Sequence, residues 1–464
     1  MSETIAQRLA QFSESLRFEN IPPEVIEKAK RLVLDTVGVS LGSTQIDFGL
    51  SALKLISRWG GANDATLIGG KVKVPAHNAA LCNGILAHGQ DYDDTHTEAV
   101  VHPSAALVPV ALAVAEQSGC SGRDMLTALV AGMEASIRIA MPALNKFHLR
   151  GFHTTSMATP FGAALITAKL EKAGLQRTVD AVGVSGSFTS GLLECVPAGA
   201  GSKRLHAGWG GMCGIMAAQF AQAEVSGPGS VFEGKLGVYN SFLRGESLDL
   251  KMIFNGLGQQ WEMLDIRPKL YPCCHYLQAF LDCTLALRRA QNIQADNVAA
   301  IACRVAPGAV NLVCEPWENK LNPATGYDAR FSLPFSIALM LARGQAGIAD
   351  FTAHNAADPH IRRLMAKISY TIEPGYQVKD MPGWIEITLN DGTRHVREVP
   401  RVRGDSTNPF SPAELLEKFN ANTAFLDADE RKQIADDILA LDTLTDIRGL
   451  MARLGAPRLQ RNGS

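Results

Sequence analysis

The stretch WIEITL (residues 384–389), running through NDG (390–392) into TRHVREV (393–399), decides how this chain divides. Both runs are strand-like, and Asp391-Gly392 between them supplies the positive φ that a tight turn requires, so the segment predicts a β-hairpin. Residues 298–305 and 368–372 read as further strands, with helices intervening at about 275–291 and 332–342. Together they define an α+β unit spanning residues 266–405. Outside it the pattern is helical. Pro22-Pro23 opens a segment in which Ile26, Ala29, Leu32, Val33 and Val37 recur at helical spacing, and further helices are predicted at about 77–94, 104–117, 122–141 and 156–172. These are rich in Ala, Leu, Val and Gly, which lets helices approach closely. Polar amphipathic helices return from Ser411 (412–419, 428–441, 444–454) and are expected to pack back on the first part. The predicted fold class is mainly α, with a helical domain from residues 1–265 and 406–464 and the smaller α+β domain between them.

Composition narrows the possible functions. A chain of 464 residues is too long for one simple core, so two domains, one split in sequence, are the natural expectation. With 19% charged and 46% hydrophobic residues the chain is built to fold, and a formal charge of −2 gives no basic field for nucleic acid, so attraction for anions must be local. No run of about 18 uninterrupted apolar residues offers a membrane span. The first residues, MSETIAQRLAQFSESLRF, are amphipathic and do not read as a signal peptide, which places the expected location in the cytoplasm. Nine cysteines without a CxxC repeat suit reduced, buried thiols.

The chemistry concentrates in the middle of the chain. Eight of the eleven histidines (His77, His88, His96, His102, His148, His153, His206 and His275) lie there, beside polar insertions into otherwise apolar sequence. The first insertion is HGQDYDDTH (residues 88–96), followed by His102-Pro103. If the helix continues through it, Asp91 and Thr95 share a face, with Asp94 beside them. No lysine or arginine occurs between Lys73 and Arg123, so these acids must find distant cations, histidines or water. Then come Arg150-Gly151-Phe152-His153, the glycine-rich stretch around Lys203 leading to His206, and Arg267-Pro268-Lys269 leading to YPCCH (271–275). A glycine-rich backbone lets an anion approach while the lysine supplies charge, and a junction between domains is where a small-molecule site is expected. Histidine, lysine and aspartate suit removal of a proton adjacent to a carboxylate, which needs a base, cations at the developing enolate and an acid.

Taken in order, HGQDYDDTH, GFH (151–153), SKRLHAGWG (202–210), YPCCH and RFSLPF (330–335) resemble the MmgE/PrpD family, and the resemblance covers essentially the whole chain. It implies a large helical domain made from the N- and C-terminal parts, a smaller α+β lid, a homodimer and no cofactor or metal. Residue by residue it implies catalytic roles for Asp91, His102, His153, Lys203 and His275 and a place for Thr95 in the active site. Asp94, Arg267, Lys269 and His206 join Thr95 as candidate substrate-binding residues. The expected reaction is acid–base chemistry on a small polycarboxylate, of dehydratase or decarboxylase type, with epimerisation of an iminodisuccinate-like acid as the alternative.

Two readings from other classes compete. His88, Asp93, Asp94, His96 and His102 could hold a divalent ion in a metal hydrolase, although their spacing matches no ligand set such as HExxH. The chain could also bind a polycarboxylate without catalysis, against which stands the presence of His153, Lys203 and His275 together.

Overall fold

A computed structural model describes residues 3–460. Its buried apolar side chains gather into two main bodies. The larger joins residues 5–266 to residues 419–454, and the smaller lies within residues 271–387.

Helices Pro23–Ser43, Ala76–His88, Pro103–Ser118, Gly122–Ala140, Thr154–Leu170 and His206–Gln222 make the larger body. Most are apolar on every side, the pattern of helices surrounded by other helices. The segment Gly122–Ala143 is long and apolar enough to cross a membrane, but from Met125 onward it is buried in this core. Ser121 starts it, in a reciprocal capping box with Asp124. Small residues set the closest approaches: a Cβ on Gly84 would lie 2.5 Å from the Cα of Gly208, so helices Ala76–His88 and His206–Gln222 touch backbone to backbone. That crossing brings His206 and the preceding Lys203 toward the loop that follows His88.

The C-terminal helices Pro412–Asn422, Ala428–Leu439 and Arg448–Gly455 lie on the same body. Lys418 anchors the first of them. Its ammonium is buried, 2.6 Å from Asp35 on helix Pro23–Ser43, and donates to the backbone carbonyl of Tyr92 at 2.9 Å.

The smaller body is a four-stranded sheet in the order Ile368–Ile372, Val298–Val305, Gly383–Leu389, Arg394–Val399, parallel in the first pair and antiparallel in the others. The hairpin forms where Asp391-Gly392 predicts it, with Gly392 at φ 86° and Thr393 N–H donating to the Asp391 carboxylate at 2.9 Å. Ile385 and Ile387 are fully buried from this strand, against which helix His275–Ala290 packs.

One sequence expectation fails locally. The helix predicted over 77–94 ends at His88. Asp91 has a left-handed backbone, φ 51°, and Thr95–His96 pairs antiparallel with Ile266–Arg267. Three buried carboxylates within four residues, each needing a different donor, are served by a loop that can turn each one separately.

Candidate active site

Four histidines sit where long helices begin. His102 and His153 are the N-cap residues of Pro103–Ser118 and Thr154–Leu170, and His206 and His275 are the first residues of His206–Gln222 and His275–Ala290. A helix N-terminus carries partial positive charge, so each start favours an anion and disfavours an imidazolium. The starts converge: ring centroids are 5.7 Å apart for His102 and His153 and 5.2 Å for His153 and His206, with His88 5.1 Å from His102.

Beside the rings lies an ion triad. One oxygen of the Asp91 carboxylate accepts from Lys203 at 2.9 Å, the other lies 3.3 Å from the Lys269 ammonium, and Lys269 also donates to the Asp91 carbonyl at 2.9 Å. The left-handed turn at Asp91 lets one lysine hold both its backbone and its side chain. Burial opposes ionisation of this carboxyl, but Lys203 and Lys269 outweigh it and hold it well below the usual range. Burial likewise opposes charge on Lys203, and Asp91, with Tyr327 and Asp93, outweighs it and keeps the ammonium charged.

Hydrogen bonds assign the protons on the imidazoles. His102 Nδ1 lies 2.7 Å from the Asp94 carbonyl, which can only accept, so Nδ1 carries the proton and Nε2 presents a lone pair. The same Nδ1 is 3.1 Å from Thr95 Oγ1, and that hydroxyl is 3.1 Å from His275 Nδ1. The Thr95 hydroxyl accordingly donates to His275 Nδ1. His275 then carries its proton on Nε2, which is buried without a partner among the described residues. His153 differs, because both its nitrogens are engaged, Nδ1 with His206 Nδ1 at 3.1 Å and Nε2 with Thr155 Oγ1 at 3.2 Å. Burial is the main cause that lowers all three: His102 falls to about 3 despite the nearby Asp93, and His153 and His275 fall well below the ordinary value, with Lys203 and Lys269 respectively adding to the effect. At neutral pH these rings are neutral. A cleft of about 620 Å3 opens onto Lys203 between residues 195–200 and residues 311–331 of the sheet-containing body.

The cluster therefore holds an imidazole lone pair, an imidazole N–H, a fixed ammonium and several helix N-termini close together. Models of the MmgE/PrpD N-terminal domain and of the MmgE/PrpD C-terminal domain match residues 7–251 and 271–441. The chain belongs to the MmgE/PrpD family. It is similar along its length to the cis-aconitate decarboxylase of Aspergillus terreus (strain NIH 2624 / FGSC A1156), 23% identical over 475 residues that cover 98% of this chain and 96% of the relative. The human cis-aconitate decarboxylase is 24% identical over 472 residues, covering 98% and 96%. A cis-aconitate decarboxylase-like protein of Aspergillus oryzae (strain ATCC 42149 / RIB 40) is 24% identical over 473 residues, covering 97% and 96%. These relatives are lyases, and at family level they support an enzyme of the lyase type.

Among the residues singled out by sequence, the structure brings together Asp91, Thr95, His102, His153, Lys203, His206, Lys269 and His275. Asp94 joins them through its backbone carbonyl; its carboxyl accepts from Ser104 N–H at 3.3 Å, and burial, with Asp93 and Asp35 nearby, pushes it up to about 7. Arg267 is engaged elsewhere, its guanidinium 2.8 Å from the Asp405 carboxylate, where it ties down the segment leading to the C-terminal helices. His96 turns toward Glu262, 3.8 Å away, whereas His88 donates to Asp93 at 2.7 Å. Among the described residues no three His, Cys, Asp or Glu side chains are arranged to hold a metal ion. Sequence reasoning gave no role to Thr155, whose hydroxyl accepts from His102 N–H at 3.1 Å while facing His153, or to Tyr327 in the cleft wall. Thr155 had a signal in its place two residues after GFH. Tyr327 had none.

Proposed function

We propose that this family member decarboxylates a small unsaturated polycarboxylate of the cis-aconitate type, using its own side chains as acid and base. The carrying observation is the His102–Thr95–His275 chain, which joins a lone-pair nitrogen to a protonated one through a single hydroxyl. Its protons can move in concert. As His102 Nε2 takes up a proton from solvent, the one that decarboxylation consumes, Nδ1 releases its own to Thr95 Oγ1, the Thr95 hydroxyl proton passes to His275 Nδ1, and His275 Nε2–H is delivered to carbon. Both rings exchange tautomers and neither becomes charged, which suits a site where lysines and helix starts disfavour imidazolium. Loss of carbon dioxide leaves its bonding electron pair on the substrate, where Lys203 stabilises the enolate-like oxygen while the proton arrives. The full-length resemblance to decarboxylases favours this outcome over dehydration or epimerisation. The same reading carries a homodimeric assembly.

Proton NMR in heavy water, with cis-aconitate-like, citrate-like and iminodisuccinate-like acids supplied in turn, tests the reaction. Carbon dioxide release with one deuterium in the product is expected for the first class. Turnover of only a citrate-like or iminodisuccinate-like acid would replace decarboxylation by dehydration or epimerisation. Thr95→Val should depress turnover far more than Thr95→Ser, which keeps the hydroxyl; equal rates for the two variants would eliminate the relay.

A further inference from the structure

The cleft that reaches Lys203 has a wall made by residues 311–331, and Tyr327 and Phe331 stand in it. Tyr327 is only 8% exposed and its hydroxyl is buried; the Arg204 guanidinium beside it can only donate, so the phenol's own proton has no acceptor among the described residues. A buried donor without an acceptor is costly and rare in a folded protein, so such a group requires an explanation. Conformational looseness does not provide one. The Tyr327 ring meets Phe331 edge to face at 5.4 Å, and the Arg204 guanidinium lies 4.0 Å from its centroid. Arg204 is itself placed against Phe48, 4.5 Å from that centroid, and its Nε is also buried without a partner.

The charge around the hydroxyl indicates what it lacks. Lys203 stands in the same cleft, 5.7 Å from the Phe331 ring centroid, and Lys203 and Arg204 are the two cations that act on the Tyr327 hydroxyl. Asp91 already has two lysines, so it is not the missing acceptor. Burial, with the Asp91 carboxylate adding to it, pushes the phenol up to about 12 against the pull of those cations, so it remains a donor at working pH. A fixed donor beside an ammonium and a guanidinium fits an oxyanion brought in by a ligand.

We propose that Tyr327 is a substrate-contacting residue whose hydroxyl donates to a second carboxylate of the bound acid in the cleft it shares with Lys203, with Arg204 as the positioning residue that holds its ring. The assignment rests on the polycarboxylate reading above and deepens it: the site would select an acid with a second carboxylate over the matching monoester.

The test compares wild type with Tyr327→Phe, which retains the ring and its contacts and removes only the oxygen. Steady-state kinetics and ligand-induced thermal shifts are measured with a cis-aconitate-like acid and its monoester. The KM for the acid is expected to rise about 10- to 100-fold, the usual effect of losing a hydrogen bond to a charged group, with the loss falling mainly on KM and the preference over the monoester shrinking in step. The unliganded melting temperature should match or exceed that of wild type, because the variant no longer buries an unpaired hydroxyl. Arg204→Lys should show the same change in weaker form. A lowered melting temperature with KM and selectivity unaltered would make Tyr327 structural and overturn the assignment, as would a variant indistinguishable from wild type. Wild type that responds to none of the acids defeats the functional reading beneath it; a responsive wild type with an unaltered variant defeats this assignment alone.

Discussion

Asp91→Asn changes one oxygen to nitrogen and removes the carboxylate that Lys203 and Lys269 share. All three side chains are buried, with Lys269 at 0% and Asp91 at 2% exposure. Breaking a buried ion pair by removing one partner costs about 3–5 kcal/mol, because the remaining charge is left uncompensated. For a chain of this size the entropy of unfolding is roughly 1 kcal/mol per kelvin, so the melting temperature should fall by about 3–5 °C if the chain unfolds as one unit. The sign with pH follows from the depressed carboxyl: its stabilisation is present above the unfolded value of about 3.9 and disappears as pH falls through the lower folded value. The gap between wild type and variant should therefore be full at pH 7 and close only in strong acid. Turnover should drop on the order of 100-fold, since Lys203 loses the group that positions it. Calorimetry from pH 3 to 8, together with deuterium incorporation, measures both effects. A variant that melts with wild type at pH 7 and turns over normally would refute the idea that the triad organises the site.

Lys203→Ala should lose about 3 kcal/mol of transition-state stabilisation, a rate loss of over 100-fold read by steady-state kinetics, and Lys203→Arg should not fully restore it because the planar guanidinium differs in shape from the compact ammonium. Among histidine variants, His102→Gln and His275→Gln should abolish deuterium exchange in heavy water while still binding the acid in a thermal-shift assay, whereas His153→Gln should retain measurable exchange because both nitrogens of His153 are already bonded. Since burial takes His102 down to about 3, this base stays unprotonated between pH 5 and 8. The rate profile should consequently show no acid limb near 6.5 assignable to it, and an acid limb there that disappears in His102→Gln would contradict the assignment. Asp94, pushed up to about 7, destabilises the fold increasingly as pH rises from about 4 through 7, so Asp94→Asn should raise the melting temperature more at pH 8 than at pH 5.

The fold was largely legible because its signals are local. The hairpin follows from Asp391-Gly392, and long helices such as Gly122–Ala140 follow from caps and apolar content. The loop after His88 was less legible because the cations that organise it come from residues 203, 269 and 418, which no window of sequence places beside it. Arg267 illustrates the converse: its place near His275 in sequence suggested a ligand contact, but Asp405, distant in sequence, claims its guanidinium. The structure places His153 in the cluster, and its engagement on both nitrogens depends on His206 and Thr155, which only packing brings to it. Tyr327 carried no spacing signal, since its significance lies in an unpaired hydroxyl that exists only once the chain is folded.

The bond from Lys418 to the Tyr92 carbonyl spans 326 residues, and this has a consequence for biosynthesis. At roughly 5–20 residues per second, a ribosome needs about 16–65 s to travel from one residue to the other. Throughout that interval the loop bearing Asp91 and Thr95 has been synthesised but lacks one of the groups that hold it. Activity should therefore trail the appearance of helical structure in a translation time course, and nascent chains stalled before residue 412 should be inert even where their N-terminal helices have already condensed.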